Sequence, residues 1–177
     1  MTILTGRQVN KMEKVLYENI SVNLPDGFRM MTEKEVQMYY NNIRFDNAFI
    51  EPEKKAVLGI VKNQNELEQE QVGKRIAEYQ SSYARMAPGF VMGELLEKKG
   101  ERHNAAILTF KSNAPTRDLY NIVAIMNFEG KELFITFSCN LQDASGLMFV
   151  ALKVIENVLE QVEKTTKLLS IKGCAPY

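Results

Sequence analysis

Apolar residues near the start of the chain alternate with polar ones. Ile20, Val22 and Leu24 are separated by Ser21 and Asn23, the two-residue period of a strand with one buried face. Lys14–Tyr17 reads as its partner strand across a Glu18-Asn19 turn, and Pro25-Asp26-Gly27 ends the pair. Thr32, with Glu35 three residues on, forms a capping box that opens a short helix carrying Val36, Tyr39 and Tyr40. Residues 45–50 and 55–62 are the next strands, parted by Glu51-Pro52-Glu53. From Ala56 to Val61 every residue is apolar or glycine, so this strand expects cover on both faces.

Beyond Asn65 the period changes. Val72, Ile76, Tyr79, Tyr83 and Met86 recur at spacings of four, three, four and three, which predicts a helix over 66–87 with one buried stripe. Glu66, Glu68 and Glu70 would sit at its positive end, and Pro88-Gly89 would stop it. Four strands follow, near 90–98, 103–111, 118–128 and 131–140. Gly100 marks the first turn, 112–117 a looser loop, and Glu129-Gly130 a tight hairpin. In the third of these strands Tyr120, Ile122, Ala124, Met126 and Phe128 point one way, and Leu119, Val123 and Ile125 the other. In the fourth, Leu133, Ile135, Phe137 and Cys139 oppose Phe134, Thr136 and Ser138.

Strands apolar on both faces need cover on both faces, and long helices are what the chain has to supply it. A last helix over 143–168 carries Leu147, Val150, Ala151, Val154, Val158, Val162 and Thr165 as its stripe, widened by Ile155 and Leu159. Glu160 and Lys164 pair on its outer side. At ~1.5 Å per residue such a helix reaches roughly 37 Å, comparable to a ten-residue strand at ~3.4 Å per residue. The expected fold class is α+β: an antiparallel β-sheet sandwiched between helices, an α/β/α sandwich. Residues 1–168 form a single domain, and 169–177 a short C-terminal tail.

The order of parts, with the strand ending Leu24-Pro25-Asp26-Gly27-Phe28 and the hairpin strand Lys131–Cys139 before the last helix, resembles the PsbP/Mog-like fold family. Among its members the chain is most similar to the bacterial DcrB-like proteins. The resemblance spans about residues 12–165. It implies an α/β/α sandwich and a protein-binding role, such as that of chaperones that cradle apolar helices of their cargo. No catalytic motif comes with the resemblance. The export or lipoprotein signal of many bacterial relatives has no counterpart here.

Charge narrows the choice of partner. Lys plus Arg and Asp plus Glu both number 22, so no net field draws nucleic acid or anionic lipid. Lys98, Lys99 and Arg102 make the densest basic cluster, and they flank Gly100 as a solvated hairpin tip. The start of the chain lacks the pattern of a signal peptide. Its longest apolar run, Leu147–Leu152, falls far short of the ~20 residues that span a bilayer. A cytoplasmic location is therefore expected. Cys139 reads as a small buried hydrophobe and Cys174 as a reduced thiol near the end of the chain. A terminal prenylation box is excluded by Pro176 and Tyr177.

Candidate chemistry is sparse. With one histidine and two cysteines, no credible zinc set can be assembled. His103, beside a hairpin turn, reads as a solvated or strand-edge residue. No nucleophile elbow and no glycine-rich phosphate loop occurs. Glu33 with Glu35, and Glu66, Glu68 and Glu70, are explained by helix electrostatics. No cofactor and no metal is expected.

Methionine is the one excess, nine in 177 residues. Met86 and Met126 fall on buried stripes, whereas Met30 and Met31 sit between the Pro-Asp-Gly-Phe turn and the capped helix that carries Met38. Flexible thioethers suit surfaces that accept varied apolar partners, so Met30, Met31 and Met38 are the candidate partner-binding residues. The function expected is a non-catalytic cytosolic protein-binding module, a chaperone or adaptor. The alternatives are a carrier of a small apolar ligand between sheet and helix, and then an enzyme with an unrecognised carboxylate site. A protein partner is expected and a homodimer stays open; nucleic-acid binding and membrane insertion are not expected.

Overall fold

The computed structural model describes residues 12–17, 20–41 and 43–172, with the side chains of Met12 and residues 166–172 excepted. The chain runs through β1 (Met12–Tyr17), β2 (Ile20–Leu24), β3 (Arg29–Met30), α1 (Glu33–Tyr40), β4 (Asn47–Glu51) and β5 (Ala56–Glu66). It continues through α2 (Val72–Met86), β6 (Val91–Lys99), β7 (Asn104–Ala114), β8 (Arg117–Phe128), β9 (Lys131–Asn140) and α3 (Ala144–Lys172). β1 and β2 form a separate hairpin, and the other strands make one seven-stranded sheet in the order β3-β4-β5-β9-β8-β7-β6. Every pairing in it is antiparallel.

The two apolar faces of β8 and β9 each support a core. On one side Ile122, Ala124 and Met126 of β8 and Leu133, Ile135 and Phe137 of β9 meet Leu147, Ala151, Ile155 and Val158 of α3. On the other, Val123, Ile125 and Phe134 meet Val72 and Ile76 of α2. Each valine, leucine, isoleucine, phenylalanine or methionine among them, removed from water, contributes about 1.5–3 kcal/mol before entropy is counted. The expected sandwich is present, with one addition: α3 shares its side of the sheet with the β1–β2 hairpin, whose Ile20, Val22 and Leu24 join that core.

Polar contacts hold the hairpin there. The Tyr17 hydroxyl donates to Asp46 Oδ2 at 2.8 Å and accepts the Lys62 backbone N–H at 2.7 Å. Ser21 N–H donates to Gln161 Oε1 at 2.9 Å, and Gln161 Nε2 donates to the Ser21 carbonyl at 2.8 Å. A helix side chain thus takes the place of a neighbouring strand for backbone groups that need partners. The turn residues Glu18 and Asn19, and Cys174, lie outside the described residues.

On the α2 side, rings run in sequence from Tyr40 to Phe45, Phe134, Tyr79, Tyr83, Phe110 and Phe90, with successive centroids 4.3 to 6.4 Å apart. Gly59 makes this possible, because a Cβ there would stand 2.7 Å from the Phe45 ring. At the β8–β9 hairpin, Glu129 and Gly130 have φ of 51° and 73°, the left-handed pair that a two-residue turn between twisted strands requires.

Several boundaries differ from expectation. α2 begins at Val72, not near 66, because β5 stays extended to Glu66, which pairs with Lys131 of β9. Leu67 is then buried, and a 3-10 turn at Gln69–Gln71 leads into the helix. Glu66, Glu68 and Glu70 therefore lie on a strand end and this turn rather than in the first turn of α2. Met86 is 79% exposed, since the helix ends there and Tyr83 is the last stripe residue to reach the sheet. Val150 is 37% exposed on α3 rather than covered.

The expected loop at 112–117 is instead a tight turn, with Ala114 paired to Arg117 around Pro115 and Thr116. Its polar residues are used inside the sheet. Asn121 donates to Ser112 Oγ at 2.9 Å and accepts from Ser138 Oγ at 2.9 Å, linking β7, β8 and β9. α3 continues to Lys172, into the stretch expected as tail.

Candidate functional site

A cleft of about 810 Å³ opens where the segment between β2 and β3 faces the first half of α3. Its apolar lining is Leu24, Phe28, Leu147, Val150 and Val154, and its rim carries Asp26, Glu53, Lys54 and Lys153. Local sequence shapes it. Pro25-Asp26-Gly27 turns the chain sharply, with Gly27 at φ 86°, where a Cβ would also press on Glu51 Cγ at 3.0 Å. Glu51 is itself buried and accepts the Lys54 backbone N–H at 2.5 Å, bracing the β4–β5 turn that forms the third wall. Phe28 is anchored in the core, whereas Val150 and the outward-facing Phe149, 64% exposed, meet solvent. The volume lies in the ~300–1,000 Å³ range of small-molecule and side-chain pockets. An apolar floor with a rim of both charges suits an apolar side chain or a short amphipathic segment.

Of the three candidate methionines, Met30 is on the edge strand β3, Met31 follows it, and Met38 stands on α1. Met30 is 45% exposed on β3, directly opposite Phe49 of β4 and therefore on the same face of the sheet. Met31 follows, half-buried, its N–H bonded to the Ala48 carbonyl at 2.9 Å. Met38 is 67% exposed on α1. That helix is held to the edge by its capping box and by Arg29, whose guanidinium meets Glu35 at 2.8 and 2.9 Å. Hydrogen bonding from Arg29, and then from the Thr32 backbone, pulls the Glu35 carboxyl down to about 2. None of the three methionines lines the cleft.

Sequence reasoning missed the cleft because α3 was expected to cover Val150 and Val154. The available signal was Val150 on a stripe already wide enough with Ile155 and Leu159. It also missed Glu132, which is completely buried on β9. Glu132 Oε2 accepts from Arg75 at 2.8 Å, and Oε1 accepts from Tyr79 at 2.6 Å and from Asn63 at 2.5 Å. Arg75 and Tyr79 are one helical turn apart on α2, so the carboxylate fixes that helix against the sheet. Burial first, and then the Glu132 carboxylate, raises the Tyr79 phenol; burial pushes Tyr83 up to about 12.

His103 is 7% exposed, not solvated, because the chain turns inward after Arg102 and His103 bonds through its carbonyl to Gly100 N–H at 3.0 Å. Cys139 is buried as expected, and burial pushes its thiol up to about 11. Lys98 and Lys99 are exposed, with Lys98 bound to Glu156 of α3 at 2.6 Å. Among the described residues no helix is long and apolar enough to cross a membrane.

A seven-stranded antiparallel sheet between helices, with a leading hairpin laid beside the last helix, is a PsbP/Mog-like fold. Cyanobacterial PsbP (CyanoP) from Synechocystis matches with a TM-score of 0.55 at 9% identity, over 78% of this chain and 85% of that one. The Ran-binding protein Mog1p of Saccharomyces cerevisiae matches with a TM-score of 0.50 at 8% identity, over 86% of this chain and 94% of that one. At such identities the likeness is one of fold. No family model and no curated protein sequence matches the chain.

Proposed function

We propose that the chain is a non-catalytic protein-binding module, an adaptor or chaperone, that receives an apolar side chain of its partner in the cleft beside α3. The observation that carries this is a cleft whose apolar floor is the buried Leu24, Phe28 and Leu147 and at which Val150 meets solvent. Met30 at the neighbouring sheet edge and Met38 on α1 are both exposed and add adaptable apolar side chains. That a protein of the same fold, Mog1p, is Ran-binding supports a protein partner. Kinship with the bacterial DcrB-like proteins is part of the proposal, and Leu24-Pro25-Asp26-Gly27-Phe28, which carries the resemblance to the PsbP/Mog-like family, builds one wall of the cleft. A cytoplasmic location is proposed with it, in keeping with the buried thiol of Cys139.

Val150→Asp places a charge at a position that already meets water, so the fold should survive. Wild type should retain a protein from native extract that Val150→Asp releases, and Met30→Asp plus Met31→Asp should weaken retention. Full retention by both folded variants would dismiss the cleft and the edge together. A small apolar molecule released by denaturing extraction, with no protein retained, would favour the carrier instead.

A further inference from the structure

β6 closes the sheet at the end away from the cleft, and among the described residues β7 is its one neighbouring strand. Of its nine residues all but Leu95 are exposed, including Val91 at 58%, Met92 at 41% and Leu96 at 45%. An apolar edge of this length is a template for another strand. We propose that its occupant is a second copy of this chain, the two β6 strands pairing antiparallel about a two-fold axis through Leu96.

Backbone phase and charge select this register. Gly100 N–H donates to the His103 carbonyl at 3.0 Å, so this pair is a hydrogen-bonded one. Alternation along an antiparallel ladder then commits Lys98 and Leu96 to β7, opposite Ala105 and Ile107. It leaves the N–H and C=O of Leu95, Glu97 and Lys99 facing the free edge. Registers that pair these groups with one another at more than one site centre on Leu96, Glu97 or Lys98, whereas centring on Leu95 or Lys99 does so only once. Centring on Glu97 or Lys98 opposes like charges across the axis, which is unfavourable. Centring on Leu96 stacks Leu96 on its symmetry mate at a non-hydrogen-bonded site, where side chains approach most closely. It also lets Leu95 and Glu97 exchange hydrogen bonds and sets Glu94 opposite Lys98 on both sides of the axis.

Two features of β6 resist indiscriminate pairing: the irregularity between Met92 and Leu95, and the lysines at its end. In the Leu96-centred register Lys98 meets Glu94 and Lys99 meets Gly93, so the same residues admit a self-complementary partner. The contact is isologous and closes at two copies.

Sedimentation velocity on the full chain, from about 1 μM to about 1 mM, should show a monomer passing to a dimer, as suits a small interface. Glu97→Pro removes an N–H that bonds nothing in the monomer and should abolish the dimer, with circular dichroism confirming the fold. Glu94→Lys should weaken association roughly three- to tenfold, and Glu94→Lys with Lys98→Glu should restore it. The Lys98–Glu156 contact is within one chain, so its loss in the double variant falls on monomer and dimer alike and cancels from that comparison. A chain monomeric throughout, or a dimer indifferent to both Glu97→Pro and Glu94→Lys, would overturn the proposal.

Discussion

Replacing Arg75 by methionine tests how α2 is held. Arg75 stands one-quarter exposed at 25%, while the Glu132 side chain it neutralises is at 0%. Taking away the cation leaves a carboxylate with no access to water and, among the described residues, two neutral donors, Tyr79 and Asn63. Breaking a buried pair from one side costs about 3–5 kcal/mol, and the exposure of Arg75 argues for the lower end, about 3 kcal/mol. For a domain of this size that lowers Tm by about 6–12 °C.

Adding Glu132→Gln in the same chain removes the charge but keeps an oxygen where Oε1 accepts from Tyr79 and Asn63. The double variant should therefore recover to a loss of about 1–2 kcal/mol, milder than Arg75→Met alone. Urea unfolding of the two single variants and the double gives the coupling directly. Were the double variant no more stable than Arg75→Met, an uncompensated buried charge would not be the source of the loss.

Two further outcomes follow from local geometry. Gly59→Ala drives a methyl into the Phe45 ring at 2.7 Å and should destabilise by about 1–3 kcal/mol, visible as a lower urea midpoint with unchanged slope. The Glu35 carboxyl is held down to about 2 in the folded chain, from an ordinary 4.5, by Arg29 and the Thr32 backbone. A depressed carboxyl stabilises above its unfolded value and loses that contribution as pH falls through the folded one. The stability advantage of wild type over Glu35→Gln should be full above pH 4.5 and vanish towards pH 2. A difference independent of pH would remove Glu35 ionisation from the account.

The sequence by itself determined every element whose burial follows from one period. Ile20, Val22 and Leu24 had to share a face, Thr32 and Glu35 had to open a helix, and Glu129-Gly130 had to turn. The two-sided strands β8 and β9 announced cover on both faces, because apolar side chains on alternate sides cannot all avoid water otherwise. Periodicity says which residues seek burial, but not how far a neighbouring surface extends to meet them. Where α2 ends beyond the sheet, Met86 is bare; where α3 stands away from the β2–β3 segment, Val150 edges an open cleft. Glu66 was expected to open a helix, and Lys131 of β9 lying opposite makes it a strand end. Nothing in the period of β9 marks Glu132 as buried; the convergence of Arg75, Tyr79 and Asn63 on it does. These outcomes depend on residues distant in the chain arriving together, so tertiary packing alone decided them.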